Sequence, residues 1–273
     1  MIKDVHVHTN LSHDGKSTIS EYINKALEKG VDEITLTEHY DIYDGIKSDL
    51  KTIDVDNYYN EYLKYKDNGL VKLNFGIEIG LQPDISDTVK NMVKSYPFDF
   101  IIGSSHITCK KDMSKDLSFF DGLTRHEAYM KYFKEVLENI KIYNDEFDVY
   151  GHIDYVVRYG GYSEKEINYD EFKDILDEIL NLLISKGKGI EINTSGLRYN
   201  LPFMHPNKDI IKRYKELGGK IITIGSDAHF DKDLAADFDL AFDTLRECGF
   251  EEYTIFHKRN PEFIKIPRRE IKR

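Results

Sequence analysis

Apolar and polar positions divide the chain into short buried runs separated by longer segments with helical spacing. Seven runs have the length and the Val, Ile and Phe content of buried strands. They cover residues 5–8, 34–39, 75–78, 101–106, 149–152, 190–193 and 222–229. The pattern therefore predicts seven strands distributed over the length of the chain.

Apolar residues recur at helical spacing between these runs. Thr18 with Glu21, and again Thr124 with Glu127, form the sequence signature of a capping box at a helix start. Gly30 stands where a glycine would end the first helix. The predicted helices cover residues 19–29, 129–142, 169–186, 209–217 and 239–247, with less regular spacing over 54–68 and 85–95.

Strands and helices alternate through about seven units, which predicts an α/β fold with a parallel sheet covered by helices. No linker rich in Pro, Gly or Ser interrupts the chain, so we expect one domain over residues 1–273. A closed or nearly closed β/α barrel would bring all the strand ends together at one site. An open doubly wound sheet is the competing topology, and it would leave some strand ends too far apart to share a site.

Chemistry-bearing residues recur at the ends of the predicted strands. Histidine and carboxylate groups are the ligands that proteins offer to zinc, manganese and iron. A single strand-end histidine is more often a hydrogen-bonded or surface residue, but repetition in successive strands predicts a cluster of metal ions. The candidates are His6, His8, Glu38, His39, Glu78, His106, His152, Asp227 and His229, whereas the sixth run ends in Asn193.

Strand geometry adds a second argument for several of these positions. His6 and His8 are two residues apart, so both side chains point to the same face of a strand. The same rule applies to Asp227 and His229 if the last strand stays extended to its tip. Glu78 lies between two isoleucines, where a charge is costly to bury unless it is paired or bound to a metal.

The remaining histidines lie outside the strand ends. His126 falls in a predicted helix cap, and we expect His205 and His257 to have structural or surface roles. Glu191 points away from its apolar neighbours and is expected to form an internal salt bridge. These four residues are therefore not counted among the metal ligands.

Composition and charge narrow the classes of function. With 273 residues and 40% hydrophobic content the chain can bury a core, and its net charge of −11 argues against a dominant nucleic-acid-binding surface. Cys109 and Cys248 have no metal-binding spacing, so we expect no disulfide framework and a reducing, cytoplasmic environment. Neither a signal peptide nor a long apolar run predicts a membrane partner. The basic tail at 267–273 is expected to be a solvated terminus.

The combined motifs resemble those of the polymerase-and-histidinol-phosphatase (PHP) superfamily over nearly the whole chain. The matching positions are His6-Val7-His8, Thr37-Glu38-His39, Glu78, His106, Gly151-His152-Ile153-Asp154 and Ser226-Asp227-Ala228-His229. The stretches at 98–106, 151–160, 191–194 and 217–220 resemble the monofunctional histidinol-phosphatase branch. The resemblance implies a distorted (β/α)7 barrel, which agrees with the seven runs.

The resemblance also implies a site that holds two to three divalent ions, with Zn, Mn or Fe as the candidate metals. The implied ligands are His6, His8, Glu78 and Asp227 for the first ion, His39, His229 and a first-loop residue for the second, and Glu78, His106 and His152 for the third. Glu78 would bridge two ions. In the first loop Asp14 occupies the position of the family's ligand, and its neighbour His13 is the alternative.

The implied activity is hydrolysis of a small phosphomonoester, with release of L-histidinol and phosphate in histidine biosynthesis. Divalent ions neutralise phosphate oxygens and make a hydroxide nucleophile available near neutral pH. Arg158 and Arg198 lie on loops after ligand strands, and we expect their guanidinium groups to bind the phosphate, with Arg158 also assisting catalysis. Either Asp227 or His229 would protonate the leaving oxygen.

Two other functions are compatible with the same motifs. One is a phosphotyrosine-protein phosphatase or nucleotide phosphoesterase of the same superfamily, and the other is a non-catalytic, metal-stabilised scaffold. Three long connections follow ligand strands, at 107–123, 155–168 and 195–206, and long connections of this kind together with the stretch at 151–158 favour histidinol phosphate. A scaffold would be expected to have degraded ligand positions, whereas here the set is complete apart from the choice between Asp14 and His13. No sequence feature indicates an oligomeric state.

Overall fold

The structure is a computed structural model that describes residues 2–267. Residues 268–273, which make up most of the basic tail, lie outside the described residues. The expectation of one domain over residues 1–273 stays a prediction.

Strands and helices alternate along the described residues. The strands are β1 (Ile2–Val7), β2 (Val31–Leu36), β3 (His39–Tyr40), β4 (Lys72–Gly80), β5 (Phe100–Ser104), β6 (Ile107–Thr108), β7 (Lys111–Asp112), β8 (Val149–Tyr150), β9 (Gly189–Asn193), β10 (Ile222–Gly225), β11 (Glu252–His257) and β12 (Asn260–Lys265). The α-helices are α1 (Ile19–Lys29), α2 (Val55–Tyr65), α3 (Ser86–Ser95), α4 (Arg125–Ile142), α5 (Lys173–Ser185), α6 (Ser195–Arg198), α7 (Lys208–Glu216) and α8 (Phe238–Glu247). Short 3-10 turns cover Leu117–Phe120, Tyr155–Arg158, Tyr169–Phe172 and Asp231–Asp233.

Seven parallel strands form the barrel in the order β1-β2-β4-β5-β8-β9-β10. The first and last strands meet at their carboxyl ends, where Val7 forms a parallel bridge with Ala228. The amide of His8 donates to the carbonyl of Ala228 over 2.9 Å, and the amide of Asp227 donates to the carbonyl of His6 over 2.8 Å. The barrel is therefore nearly closed, which confirms the predicted α/β barrel and excludes the open doubly wound sheet.

Helix α1 shows how the sequence signals position the barrel. Thr18 and Glu21 form the predicted capping box, and Gly30 ends the helix with φ of 67°. The buried face of the helix includes Tyr22, whose hydroxyl donates to the carbonyls of both His8 and Ala228 over 3.0 and 2.9 Å. Tyr22 therefore links the backbone that follows β1 to the backbone that follows β10, next to the candidate ligands.

Three local features differ from the sequence expectations. Residues 169–186 form a 3-10 turn followed by α5 rather than one helix, because the side chain of Asn168 caps a tight turn at the amide of Asp170. Residues Ser195–Arg198 form a short helix inside a predicted connection. The last barrel strand also does not stay extended to its tip: β10 ends at Gly225, and Asp227 has φ of 54°.

The antiparallel hairpin β11–β12 was not predicted, and it packs against the amino ends of the barrel strands. The amide of Ile222 donates to the hydroxyl of Thr254 over 3.2 Å, and Arg259 forms an ion pair with Asp148 at 2.7 Å. The hairpin therefore covers the end of the barrel opposite the strand-end histidines. No helix among residues 2–267 is long and apolar enough to cross a membrane.

Candidate metal centre

All nine predicted metal ligands lie at the carboxyl end of the barrel. The loop after β1 carries Asp14, and the other candidates lie on or directly after the barrel strands or on the short strand β3. Their side chains form three adjacent sets of ligand atoms, described below. This grouping follows the one that the resemblance implied, and the assignment of ligands to individual ions stays a prediction.

The first set consists of His6, His8, Glu78 and Asp227. The Nε2 atoms of His6 and His8 are 3.0 Å apart, and they lie 3.3 and 3.5 Å from Oε2 of Glu78. Oδ1 of Asp227 lies 3.7 and 3.3 Å from the same two nitrogens. A tetrahedral zinc ion with ligands at about 2.0–2.2 Å separates them by about 3.3–3.6 Å, so His6, His8 and Asp227 lie near the spacing that one ion requires.

The second set consists of His39, His229 and Asp14. The Nε2 atoms of His39 and His229 are 3.4 Å apart, and they lie 3.6 and 3.2 Å from the carboxylate oxygens of Asp14. Nδ1 of His229 donates to the carbonyl of Asp227 over 3.0 Å, which directs Nε2 towards Asp14. His13 lies at the edge of this set, with its ring centroid 5.5 Å from that of His39. The geometry favours Asp14 over His13 as the third ligand.

The third set consists of Glu78, His106 and His152. Oε1 of Glu78 lies 3.3 Å from Nε2 of His106 and 2.8 Å from Nε2 of His152, and these nitrogens are 3.4 Å apart. Oε1 of Glu78 therefore faces the third set, whereas Oε2 faces the first set and also lies 2.9 Å from Nδ1 of His39. This is the position that a bridging carboxylate requires.

Unsatisfied buried oxygens provide a separate test of whether a cation fits. Oε2 of Glu78 and Oδ1 of Asp14 are buried and accept no hydrogen bond from the described residues. Buried carboxylate oxygens without a donor are costly unless they are paired or coordinate a metal. Both atoms face the histidine nitrogens of the sets described above, so the donor atoms present suit a divalent cation.

The pKa shifts show how strongly the charges of the cluster depend on one another. Burial raises the pKa of Glu78, but His6 and His106 outweigh burial and hold this pKa well below its usual value. Burial lowers the pKa of His6, yet the carboxylates of Glu191 and Glu78 raise it well above its usual value. The pKa of His106 rises to about 10 because Asp41 and Glu78 outweigh the effect of burial. Protons therefore compete with cations for these nitrogens.

Two buried carboxylates orient ligand histidines through contacts with Nδ1, the ring nitrogen that does not face the other ligand atoms of its set. Oε1 of Glu191 lies 2.5 Å from Nδ1 of His6, and Oδ1 of Asp41 lies 3.0 Å from Nδ1 of His106. Carboxylates in this position fix the tautomer of a ligating imidazole and increase its basicity. The sequence predicted an internal ion pair for Glu191 but gave no role to Asp41. The ligand atoms of Asp41, His39 and His106 also lie within 4.8 Å of one another.

Glu38, the remaining strand-end carboxylate, points into the first loop. It accepts hydrogen bonds from the amides and hydroxyls of Thr9 and Ser12 over 2.5–3.2 Å. The hydroxyl of Ser12 also accepts from the amide of His39 over 3.0 Å. Glu38 therefore holds the loop that carries Asp14.

A cavity of about 260 Å³ opens directly above the three sets. Its wall includes four tyrosines, the cations Lys115 and Arg158, and the carboxylate of Asp112. Ligand residues of all three sets contribute to the same wall, among them His39, His152 and Asp227. A small ligand in this cavity would contact the candidate metal centre directly.

The two predicted phosphate-binding arginines occupy different places. Arg158 lines the cavity, and its Nη2 donates to the hydroxyl of Ser195 over 2.5 Å and approaches Oδ2 of Asp227 at 3.4 Å. Arg198 is not among the cavity-lining residues, and its Nη2 donates to the backbone carbonyls of Ser226 and Asp227. Arg198 therefore supports the backbone that carries Asp227. No contact with the cavity supports its predicted role in substrate binding.

Sequence reasoning also missed the surroundings of Arg158. His205 was expected to be structural or at the surface, but its side chain is fully buried and accepts from Nε of Arg158 over 3.0 Å. Nδ1 of His205 lies 2.6 Å from Oδ1 of Asp154. The proximity of His205 to Arg158 arises from the fold, and no local sequence signal indicates it.

Comparisons with known proteins agree with this geometry. The PHP domain family model matches residues 4–195. A Clostridium acetobutylicum protein named "Probable histidinol-phosphatase" is 34% identical, and the alignment covers 95% of this chain and 98% of that protein. The histidinol-phosphatase of Lactococcus lactis is 32% identical, with 93% of each protein covered.

A solved structure extends the comparison to three dimensions. The crystal structure of histidinol phosphate phosphatase from Lactococcus lactis, complexed with zinc, L-histidinol and phosphate, superposes with a TM-score of 0.85 at 29% identity. The alignment covers 96% of this chain and 98% of that one. Together with the ligand clusters, the zinc in that relative supports a divalent-metal site here. The chain belongs to the PHP domain family and, within it, to the histidinol-phosphatase branch.

Proposed function

We propose that this protein is a metal-dependent phosphomonoester hydrolase that converts L-histidinol phosphate into L-histidinol and phosphate. The observation that carries the proposal is the position of Glu78. Its two oxygens face separate sets of histidines, and two of its histidine neighbours, His39 and His152, line the same cavity as Arg158. The histidinol-phosphatase names of the relatives indicate the substrate. The reaction belongs to histidine biosynthesis, and we expect it to occur in the cytoplasm.

The proposal also covers the number of metal ions, the residues that would hold them and their identity. Two to three divalent ions would be held by the three sets, with Glu78 shared between the first and third sets and Asp14 completing the second set. When bound, such ions neutralise phosphate oxygens and lower the pKa of water. Zinc is the first candidate because the Lactococcus lactis relative contains it, and manganese and iron suit the same donor atoms.

The side chains of the protein contribute binding and proton transfer. Arg158 is the cavity arginine, and its planar guanidinium suits two-pronged contact with a phosphate. Oδ1 of Asp227 faces the histidines of the first set, and Oδ2 accepts hydrogen bonds from Ser195 and Arg158. Asp227 and His229 both line the cavity, and either one would protonate the leaving oxygen of histidinol.

We expect Asp112 to favour substrates whose leaving group carries a positive charge. Its carboxylate lines the cavity and belongs to none of the three ligand sets. Oδ1 accepts from the amide and hydroxyl of Ser114 over 2.9 and 2.6 Å, and no described residue donates to Oδ2. A buried carboxylate with a free oxygen attracts the ammonium group of histidinol and repels a second phosphate group.

A phosphate-release assay on the metal-loaded protein tests the proposal. We expect kcat/KM for histidinol phosphate to exceed the values for phosphotyrosine and for nucleoside monophosphates by about a hundredfold or more. A preference for phosphotyrosine or for a nucleotide would assign the protein to a different phosphatase activity. Absence of hydrolysis of all three would favour a non-catalytic scaffold.

The variant Asp112→Asn tests whether Asp112 recognises the ammonium group of histidinol phosphate. We expect it to raise KM for histidinol phosphate by about tenfold, while kcat/KM for p-nitrophenyl phosphate, which has no ammonium group, stays unchanged. Asp121→Asn, which removes an exposed carboxylate outside the cavity, is the matched control. Equal losses on both substrates would show that Asp112 does not recognise the amine.

A further inference from the structure

Three side chains form a buried chain of polar contacts that ends at the cavity. Oδ1 of Asp154 lies 2.6 Å from Nδ1 of His205, and Nε2 of His205 lies 3.0 Å from Nε of Arg158. Asp154 and His205 are both fully buried. Neither residue belongs to the three ligand sets, and neither lines the cavity. Only the arginine at the end of the chain contacts the cavity.

The chemistry of the contacts fixes the tautomer of His205. A guanidinium group can only donate hydrogen bonds, so Nε2 of His205 must carry the lone pair that faces Arg158. The other ring nitrogen then carries the proton, which it donates to the carboxylate of Asp154. A neutral imidazole with its proton on Nδ1 is the form that satisfies both neighbours.

The remaining contacts of Arg158 restrict the guanidinium plane. Its Nη2 donates to the hydroxyl of Ser195 over 2.5 Å, and the rings of Tyr155 and Tyr199 lie 4.8 and 4.2 Å from its central carbon. No described residue accepts a hydrogen bond from Nη1 of Arg158. The group is therefore held along its Nε edge and at Nη2, and Nη1 remains available for a ligand in the cavity.

We propose that Asp154 and His205 are positioning residues that hold Arg158 in the orientation needed to bind the phosphoryl oxygens of the substrate. The inference rests on the proposed phosphatase function and adds two residues to it. Asp154 sets the tautomer of His205, and His205 accepts from Nε of Arg158, which leaves the guanidinium with fewer accessible rotamers. Preorganised donors of this kind stabilise developing negative charge more effectively than mobile ones.

The tautomer can be tested without any enzymatic activity. The ¹⁵N chemical shifts of labelled histidine in the metal-free protein should show His205 as a neutral imidazole protonated on Nδ1, with a proton resonance that Asp154→Asn shifts or abolishes. A His205 protonated on Nε2, or on both nitrogens, at neutral pH would overturn the proposal. This outcome does not depend on which substrate the enzyme uses.

Kinetics then test the role in positioning. We expect Asp154→Asn and His205→Ala each to lower kcat/KM for histidinol phosphate by about tenfold or more, and to weaken the binding of inorganic phosphate to the metal-loaded protein by a similar factor. Metal content should stay unchanged. His205→Gln should recover part of the loss, because its amide oxygen can accept from Nε of Arg158.

A double-mutant cycle separates positioning from a general loss of structure. In an Arg158→Ala background, His205→Ala should cause little further loss, since the group that it orients is absent. Asp148→Asn is the matched control, because it weakens a partly buried ion pair with Arg259 at the amino end of the barrel, away from the cavity. It should lower thermal stability while leaving phosphate affinity intact.

The outcomes that overturn the proposal are distinct from failure of the proposed function. Additive losses in the Arg158→Ala background, loss of metal from the His205 variants, or unchanged phosphate binding would show that Asp154 and His205 are only structural. If the wild-type protein fails to hydrolyse histidinol phosphate, the proposed function fails. The phosphate-binding and ¹⁵N measurements would still decide how Arg158 is held.

Discussion

Nδ1 of His6 lies 2.5 Å from Oε1 of Glu191 in the interior of the barrel, and both side chains are fully buried. The contact keeps a proton on Nδ1, so that Nε2, which faces Glu78 and Asp227, is the nitrogen available to a metal. The second oxygen of Glu191 accepts from the amide of His152 over 3.0 Å. One carboxylate therefore supports ligands of both the first and the third set.

Glu191→Gln should lower metal affinity by about ten- to a hundredfold, because an amide stabilises the required tautomer of His6 less strongly than a carboxylate does. Competition with a chromophoric zinc chelator measures the change. Glu33→Gln is the matched control, since Glu33 is a buried carboxylate near the amino end of β2 that binds Lys3. Equal affinities for wild type and Glu191→Gln would contradict the role of Glu191.

Glu78→Gln should be among the most damaging single substitutions. The amide offers one neutral acceptor in place of two charged oxygens, so one of the first and third sets loses its Glu78 ligand and the other keeps only a weaker one. We expect kcat for histidinol phosphate to fall by about a thousandfold or more, together with loss of bound metal. Elemental analysis and steady-state kinetics on the same preparation provide the measurement.

The shorter variant Glu78→Asp separates charge from bridging. It keeps the carboxylate but cannot reach both sets from the same backbone position, so we expect it to be nearly as inactive as Glu78→Gln. Activity of Glu78→Asp within about tenfold of wild type would show that the bridge is not required.

Metal binding should release protons, and metal affinity should therefore rise with pH. The pKa values of His6, His39 and His106 are all raised in the metal-free protein, because neighbouring carboxylates outweigh burial. These histidines hold protons near neutral pH, whereas zinc requires neutral imidazole. Calorimetry in buffers of different ionisation enthalpy, between about pH 6 and pH 8, measures the number of protons released. An affinity that does not change with pH would exclude these histidines as ligands.

The ligand-bearing strand ends were predictable because they depend on local patterns. Buried runs that end in histidine or a carboxylate are visible in the sequence, and a parallel barrel brings all such ends to one face. The alternation rule applied to His6 and His8. For Asp227 and His229 the rule failed, because the backbone turns to positive φ at Asp227. The two side chains nevertheless reach the site, since hydrogen bonds to the backbone of His6 and His8 hold the turn beside β1.

The supporting residues could not be predicted because their partners are distant in sequence. Glu191 lies 185 positions from His6, and Asp41 lies 65 positions from His106. A glutamate inside an apolar strand indicates a buried partner but does not identify it. His205 has no strand-end signal, since its role depends on the position of Arg158.

The hairpin β11–β12 escaped prediction for a local reason. Its two-residue turn is Lys258-Arg259, with φ of 51° and 63°. Such turns favour asparagine and glycine, which tolerate positive φ, and neither lysine nor arginine provides that signal. The ion pair of Arg259 with Asp148 is a tertiary contact that helps to hold the strained turn in place.

Metal titration of the chelated protein tests the central claim most directly. The protein is freed of metal and then given zinc or manganese in steps, while phosphate release from histidinol phosphate and bound metal are followed in parallel. We expect no hydrolysis without metal and a rise in rate that reaches its plateau at two to three bound ions per chain. Full activity of the metal-free protein, or a plateau reached without stoichiometric metal, would contradict a catalytic centre built around Glu78.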